Sequence, residues 1–355
     1  MTRTKQITAL PIAAAFIGTV VGAGFATGQE ILQFFTFYGL KGIIGIGIAA
    51  FLFFYFGFSI MRMAREQKAD SHRDLVTYTA GPGIGIFLDW FITISFLGVL
   101  VVMAAGAGAV AEEQLNLPQL HGSLVIIILA FFTVISGIHN IIRAIGFVVP
   151  FLLIAVLGVA IYSILSDPLT GQKLAVLQAL EPPLSSNWSL AAVLYVSYNL
   201  ILAVAILSTL GVEARAKTDL LWGGILGAAG LGIGILAINL AIISNVPQVL
   251  AFQVPMAFLA SHINPLFAYC YGFILLLEIY TTAVSILYGF VARISYRNNL
   301  KRFFWAAVAS IGALLAARLG FARVIGTIYP VMGFIGLFFL ASILWAQVRE
   351  YIAGK

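Results

Sequence analysis

Long apolar runs separated by short polar breaks set the layout of this chain. Ten runs stand out, at about 7–38, 41–63, 84–112, 121–138, 143–165, 187–210, 220–244, 263–292, 301–318 and 322–347. Each supplies the roughly 20 apolar residues that a helix needs to cross a hydrocarbon core of about 30 Å. The pattern predicts an all-α polytopic membrane protein with ten transmembrane helices. The starts of runs 2 to 5 (41, 84, 121, 143) recur in runs 7 to 10 (220, 263, 301, 322), at an offset close to 180. Five spans per repeat is an odd number, so the second copy enters the membrane from the opposite side, the inverted-repeat layout of secondary transporters. The expected organisation is a first five-helix repeat over 1–165, an external linker over 166–186 (SDPLTGQKLAVLQALEPPLSS), and a second five-helix repeat over 187–355. A further non-spanning stretch, 245–262, carries Pro247 and Pro255 and is expected along the external face.

Composition agrees with this layout. Of the 355 residues, 62% are hydrophobic and only 9% charged, with a mean hydropathy of +1.07, too much apolar side chain for a soluble fold to cover. The net charge of +6 invites a nucleic-acid partner. The basic residues sit in short loops, however, and fifteen of the nineteen fall on one side of the ten-span layout, including Arg62, Arg65, Lys68, Arg73, Arg215, Lys217, Arg293 and Arg302. The positive-inside rule then places both termini in the cytoplasm, with the chain in the cell (cytoplasmic) membrane. The opening, with Arg3 and Lys5 before an apolar run, has the shape of a signal peptide. Apolar sequence continues to about Tyr38, which argues for a span instead. The one cysteine, Cys270, lies in an apolar run and reads as a packing residue. No HExxH, G-x-S-x-G or nucleotide loop appears, and His72, His121, His139 and His262 are scattered at loops and span edges. An enzyme is not expected, nor a cofactor. The expected partners are the lipid bilayer and a small solute.

The chemistry concentrates in the first run. Residues 17–35 read IGTVVGAGFATGQEILQFF, and the whole run is longer than a straight span needs. Gly18 with Gly22, and Gly24 with Gly28, form small-xxx-small pairs suited to close helix packing. Gln29, Glu30, Gln33 and Thr36 add a polar stripe at helical spacing. A carboxylate at the bilayer centre costs about 2.5–3.5 kcal/mol on insertion scales, so Glu30 is expected to face a cavity or partner. Glycine eases departure from helical geometry, and an unwound segment at about 22–27 frees carbonyls for a cation and N–H groups for an anion. Gly22, Ala23, Gly24, Gln29 and Glu30 are therefore candidate substrate ligands.

The 5+5 layout, together with the run Gly18-Thr19-Val20-Val21-Gly22-Ala23-Gly24, resembles the LeuT-fold transporters of the amino acid–polyamine–organocation superfamily. Within that group, VGAGFATGQEI is most similar to the YkvI-like membrane proteins. The resemblance implies a sodium site built from the carbonyls of Gly18, Val21 and Glu278 and the hydroxyls of Thr281 and Thr282. Hard cations take oxygen ligands, and positions i, i+3 and i+4 share a helical face; hydroxyls bonded back to their own helix are the plainer reading of the threonines. Glu278 departs from the small residue that the resemblance leads one to expect. It can add a charged ligand, carry a coupling proton or pair with a cationic substrate. Span 5 holds no charge over 144–165, so it lacks the lysine that replaces sodium in some proton-coupled relatives. The resemblance also implies that span 6 is discontinuous like span 1, with Ser197, Tyr198 and Asn199 at its break, although Tyr195–Asn199 contains no glycine or proline. Met103, opening the small-residue run MAAGAG of span 3, is expected to flank the site.

Together these readings lead to an expected cation-coupled secondary transporter of an amino acid or related amine, working by alternating access with Na⁺ as coupling ion. Spans 1, 2, 6 and 7 are expected to move against spans 3, 4, 8 and 9. The alternatives are coupling to protons and a non-transporting ligand sensor on the same fold.

Overall fold

The computed structural model describes residues 7–69, 71–136, 141–182, 187–294 and 299–353. Among these the chain is almost entirely helical, and helical backbone coincides with every apolar run. The first run is divided into α1 (Ala9–Val20), α2 (Ala23–Thr27) and α3 (Gln29–Phe34). There follow α4 (Leu40–Gln67), α5 (His72–Leu115), α6 (Gln119–Ser136), α7 (Ile141–Ser166) and the short α8 (Gly171–Gln178). The second half comprises α9 (Trp188–Glu213), α10 (Lys217–Ser244), a short α11 (Pro255–Ser261), α12 (Pro265–Ile294), α13 (Asn299–Ala317) and α14 (Phe321–Ile352). Eight of the described helices are long and apolar enough to cross a membrane alone, and the bent pair Pro150–Ser166 with Gly171–Leu177 brings the number to nine. At 12 residues, α1 is too short to do so unaided.

The helices pack as two groups. In one, α4 lies against α9 and α10, and α1 against α10 and α9. In the other, α5, α6, α12 and α13 pack on one another. α14 touches both groups, through α9 and α5. Lipid chains are as apolar as leucine, so close approach of small residues does the work that water exclusion does in soluble cores. Phe16 shows how: a Cβ on Gly57 of α4 or on Gly227 of α10 would lie 2.7 Å from its ring. The start of the first run is also stapled to the turn after α9, where Ile7 N donates to Glu213 O (3.1 Å) and Arg215 N to Ile7 O (2.9 Å). Among the second group, Arg293 of α12 pairs with Asp89 of α5, and His72 Nε2 lies 3.4 Å from the same carboxylate. α5 is itself kinked at Gly81 (φ 78°), just ahead of Pro82, so His72–Ala80 turns away from the span that follows.

The first run is broken twice. Val21 and Gly22 are extended (ψ 106° and φ −125°, ψ −171°), and Gly28 is left-handed (φ 80°). The glycines divide the labour. A Cβ on Gly22 would meet nothing within 4 Å, so this residue does not serve helix packing. Gly28 both adopts a conformation that favours glycine and lets α11 approach, since a Cβ there would lie 2.8 Å from Met256 Cγ. The stretch after α10 forms a 3₁₀ turn at Gln248–Ala251 and then α11, which covers this second break.

The expected discontinuity of span 6 is not found. α9 is one unbroken helix of 26 residues. Two of its central polar groups find partners without unwinding: Asn199 Nδ2 donates to Tyr195 O (2.9 Å) and Ser197 Oγ to Gly333 O (2.6 Å). With neither glycine nor proline between Tyr195 and Asn199, the sequence gives the backbone no reason to leave the i→i−4 ladder.

These contacts predict that Gly28→Ala destabilises the fold while Gly22→Ala does not. A left-handed alanine costs about 1–2 kcal/mol before any clash with Met256 is counted. Thermal unfolding of the detergent-purified protein should show a lowered midpoint for the first variant and an unchanged one for the second.

Candidate functional site

The left-handed turn at Gly28 folds α3 back over α2 and so places Glu30. Its side chain is buried at 4% exposure. Oε1 lies 1.8 Å from the position that a Cβ on Gly24 would occupy, so the missing side chain at 24 is the room the carboxylate uses. Oε2 accepts a 2.5 Å hydrogen bond from the Tyr198 hydroxyl of α9. The ring of Tyr329 on α14 stacks on Tyr198 at 4.6 Å and 17°, so a second phenol stands beside this bond. Phe34 and Tyr195 close the surroundings, with ring centroids 5.4 and 5.5 Å from Tyr195 to Phe34 and Tyr198 respectively. Tyr195 OH is fully buried and has no hydrogen-bond partner. Glu30 is thus held by a neutral donor within an aromatic cluster.

The second group of helices reaches the broken run through α12. Tyr271 OH donates to Ala26 O (2.6 Å), fixing α12 against α2. Two turns further along α12, about 10 Å away from α11, the same face carries Glu278. It too is buried at 4% exposure. Thr281 Oγ1 donates to Glu278 O (3.0 Å) and Thr282 Oγ1 to Glu278 Oε1 (3.4 Å), while Oε2 has no partner. Both hydroxyls therefore bond within α12, and neither is bonded to the carbonyls of Gly18 or Val21. Those carbonyls come from the end of α1, where helix geometry leaves the last turn without intrahelical partners. The expected ligands are all oxygens and include a carboxylate, the chemistry that suits a hard cation, but they are divided between α12, which packs on α2, and α1, which packs on α10 and α9.

On the side of α8 and α11, a cavity of about 490 Å³ reaches inward to Gln29, lined also by Gln33, Phe252, Gln253, Arg323 and Thr327. Gln33 Nε2 donates to Ala322 O (2.7 Å). The Oε1 atoms of Gln29 and Gln33 are buried without partners. Above the cavity, Glu113 of α5 accepts from the backbone N–H groups of Gln253 (2.6 Å) and Val254 (3.0 Å), tying the α10–α11 connection to the second helix group.

The structure thus brings Glu30, Gly24 and Tyr198 together, with Ala23 beside them at the start of α2 and Gln29 at the foot of the cavity. It does not bring in the other two expected residues of span 6. Ser197 docks on Gly333 of α14, and a Cβ on Gly336 would lie 2.4 Å from its Oγ; Asn199 bonds its own helix. Met103 is buried on α5, which touches α2. The small residues after it serve packing: Gly106 faces the Phe321 ring and Gly108 faces Ser123 and Gln119 of α6. Sequence reasoning missed Tyr329 and Tyr271. For Tyr329 a signal existed, since Tyr329-Pro330 is a polar aromatic within an otherwise apolar run. Tyr271 offered none.

The chain is 32% identical over 338 residues to the membrane protein YkvI of Bacillus subtilis (strain 168), an alignment spanning 94% of each. It is 24% identical over 331 residues to YyaD of the same organism, spanning 92% of this chain and 94% of that one. Its fold is similar to that of MhsT solved in complex with L-phenylalanine, with a TM-score of 0.62 at 18% identity, over 95% of this chain and 90% of that one. A Na⁺-coupled sialic acid symporter in its substrate-bound outward-open state gives 0.62 at 13% identity, over 96% and 79%. Inward-facing Mhp1 gives 0.60 at 13% identity, over 95% and 76%. No protein-family model matches.

The carboxylate's surroundings predict opposite outcomes for two neighbouring tyrosines. Tyr198→Phe removes a donor from a buried carboxylate and should destabilise by about 1–3 kcal/mol. Tyr195→Phe removes a hydroxyl that bonds nothing and should be neutral or slightly stabilising. The unfolding midpoints of the two purified variants, compared with the parent, decide between these outcomes.

Proposed function

Because the chain belongs to the family of YkvI-like membrane proteins and carries the LeuT fold, we propose that it is a cation-coupled secondary transporter of a small amine-bearing solute, an amino acid or related amine. The observation that carries this reading is the doubly broken first run, with a buried carboxylate packed against α9 and against α14, the helix that touches both groups. Irregular backbone at membrane depth is tolerated only where protein or a water-filled cavity surrounds it, and transporters place their binding sites there. A plain anchor has no use for it.

In this reading the repeats 1–165 and 187–355, joined by 166–186, each contribute to both helix groups. The group of α1–α4, α9 and α10 rocks against the group of α5, α6, α12 and α13. The termini are cytoplasmic, the protein sits in the cell membrane, and the cavity above Gln29 is the external entry. Substrate passes from there to Glu30, which holds its amine. Sodium is the coupling ion, taken by the oxygens of Gly18, Val21, Glu278, Thr281 and Thr282 when α12 and the end of α1 close on each other. The support for sodium over a proton is the pair of adjacent hydroxyls beside Glu278, which a proton carrier does not need.

Reconstitution in proteoliposomes tests this. An inward sodium gradient should drive accumulation of at least one radiolabelled amine or amino acid. Thr281→Ala with Thr282→Ala should abolish the sodium dependence, while a pH gradient alone drives nothing. Uptake in sodium-free buffer driven by an inward proton gradient, and lost in Glu278→Gln, would transfer the coupling role to a proton on Glu278. Saturable binding without accumulation under any gradient would make the protein a ligand sensor.

A further inference from the structure

The place beside the first break where an amino acid's carboxylate was expected is already occupied by the protein's own. Glu30 Oε1 fills the space left by Gly24, at the start of α2. Around the carboxylate stand Tyr198, Tyr329, Tyr195 and Phe34, and the side-chain donor that bonds it is the phenol of Tyr198. Buried charges are ordinarily paired with an opposite charge. Among the described residues the carboxylate has a hydrogen bond but no cation within ion-pair distance, and the buried Tyr195 hydroxyl beside it has no hydrogen-bond partner.

Resting on the reading of this site as the substrate site, we infer that its ligand is an organic ammonium ion without a carboxylate of its own. Glu30 supplies the counter-charge that an amino acid would otherwise carry with it. The amine of such a ligand pairs with Glu30, and the rings of Phe34, Tyr195 and Tyr198 take its positive head and apolar body, since cations are attracted to aromatic faces. An amino acid entering the same place would set its carboxylate against Glu30, a like-charge contact in a low-dielectric interior, which rejects it.

Matched pairs of compounds separate the possibilities. The full-length protein in detergent is titrated with phenethylamine against L-phenylalanine, isopentylamine against L-leucine, and putrescine against L-ornithine, with thermal unfolding as the readout. At least one amine should raise the midpoint in a saturable way while its amino acid does not, because only a ligand that binds the folded state stabilises it. Glu30→Gln should weaken that amine on the order of thirtyfold or more, the usual consequence of removing one member of a buried charge pair. Glu30→Ala vacates the space at Gly24 and should turn the preference toward the amino acid of the pair. Should the Glu30 variants fail to fold, Tyr195→Phe serves in their place, with weakened amine binding expected at unchanged stability. An amino acid that stabilises the parent protein while its amine does not overturns the inference and leaves the transporter reading intact. Failure of every amine in the three pairs also overturns it. Amine binding without accumulation in proteoliposomes upholds the inference and removes the transporter reading.

Discussion

A carboxylate inside a membrane protein has to be satisfied by its neighbours, because lipid offers it nothing. Glu30 sets that requirement here, and much of the surrounding structure answers it. The left-handed Gly28 turns the side chain inward, Gly24 gives it space, and Tyr198 supplies a donor from α9 while its ring stacks on Tyr329 of α14. The stacking of the Tyr198 and Tyr329 rings then couples α9 to α14. One side chain in this way links the broken run, the group it belongs to and the helix that bridges both groups.

Broken backbone imposes a second requirement. Each interruption releases peptide groups from the helical ladder, and in hydrocarbon an unsatisfied group costs several kcal/mol. The fold meets this by enclosure. All five residues of α2 and all six of α3 are buried. Tyr271 caps the carbonyl of Ala26, and α11 with Met256 and Pro255 closes over Gly28. The α10–α11 connection is held in place from the other group by Glu113. Each partner comes from a different part of the chain, so the breaks become affordable only once the whole bundle has assembled.

Much of this is legible in the sequence, and the division follows the range of the interactions. The apolar runs mark the helices because hydropathy is a property of the segment itself. Surplus length and glycines mark the first run as irregular for the same local reason, although the segment expected to unwind at about 22–27 is helical over Ala23–Thr27 and the breaks fall on either side of it, at Val21–Gly22 and Gly28; the cost of burying Glu30 in lipid marks it as enclosed. Span 6 misled by analogy: symmetry with span 1 argued for a break, whereas its own residues, Tyr195 to Asn199, contain nothing that breaks a helix. The partners of a polar residue are another matter. Ser197 and Tyr198 are adjacent and equally buried, yet one faces Gly333 and the other Glu30. Which way each points depends on how α9 and α14 are rotated against each other, and that rotation is set by packing across more than a hundred residues of chain. The partner of Tyr271 was hidden on the same ground.

Gly24 and Glu30 have a consequence for the history of such sequences. Oε1 of the one stands where the Cβ of the other would be, so neither position is free to change by itself. A side chain gained at 24 evicts the carboxylate, and a carboxylate lost at 30 leaves a void that a side chain at 24 can fill. Their effects on stability must be non-additive, as for any pair of residues that share one space. Descendants of a common ancestor would then cross between glycine–glutamate and its alternatives in paired steps, and the two positions behave as a single inherited character with a charge attached to it.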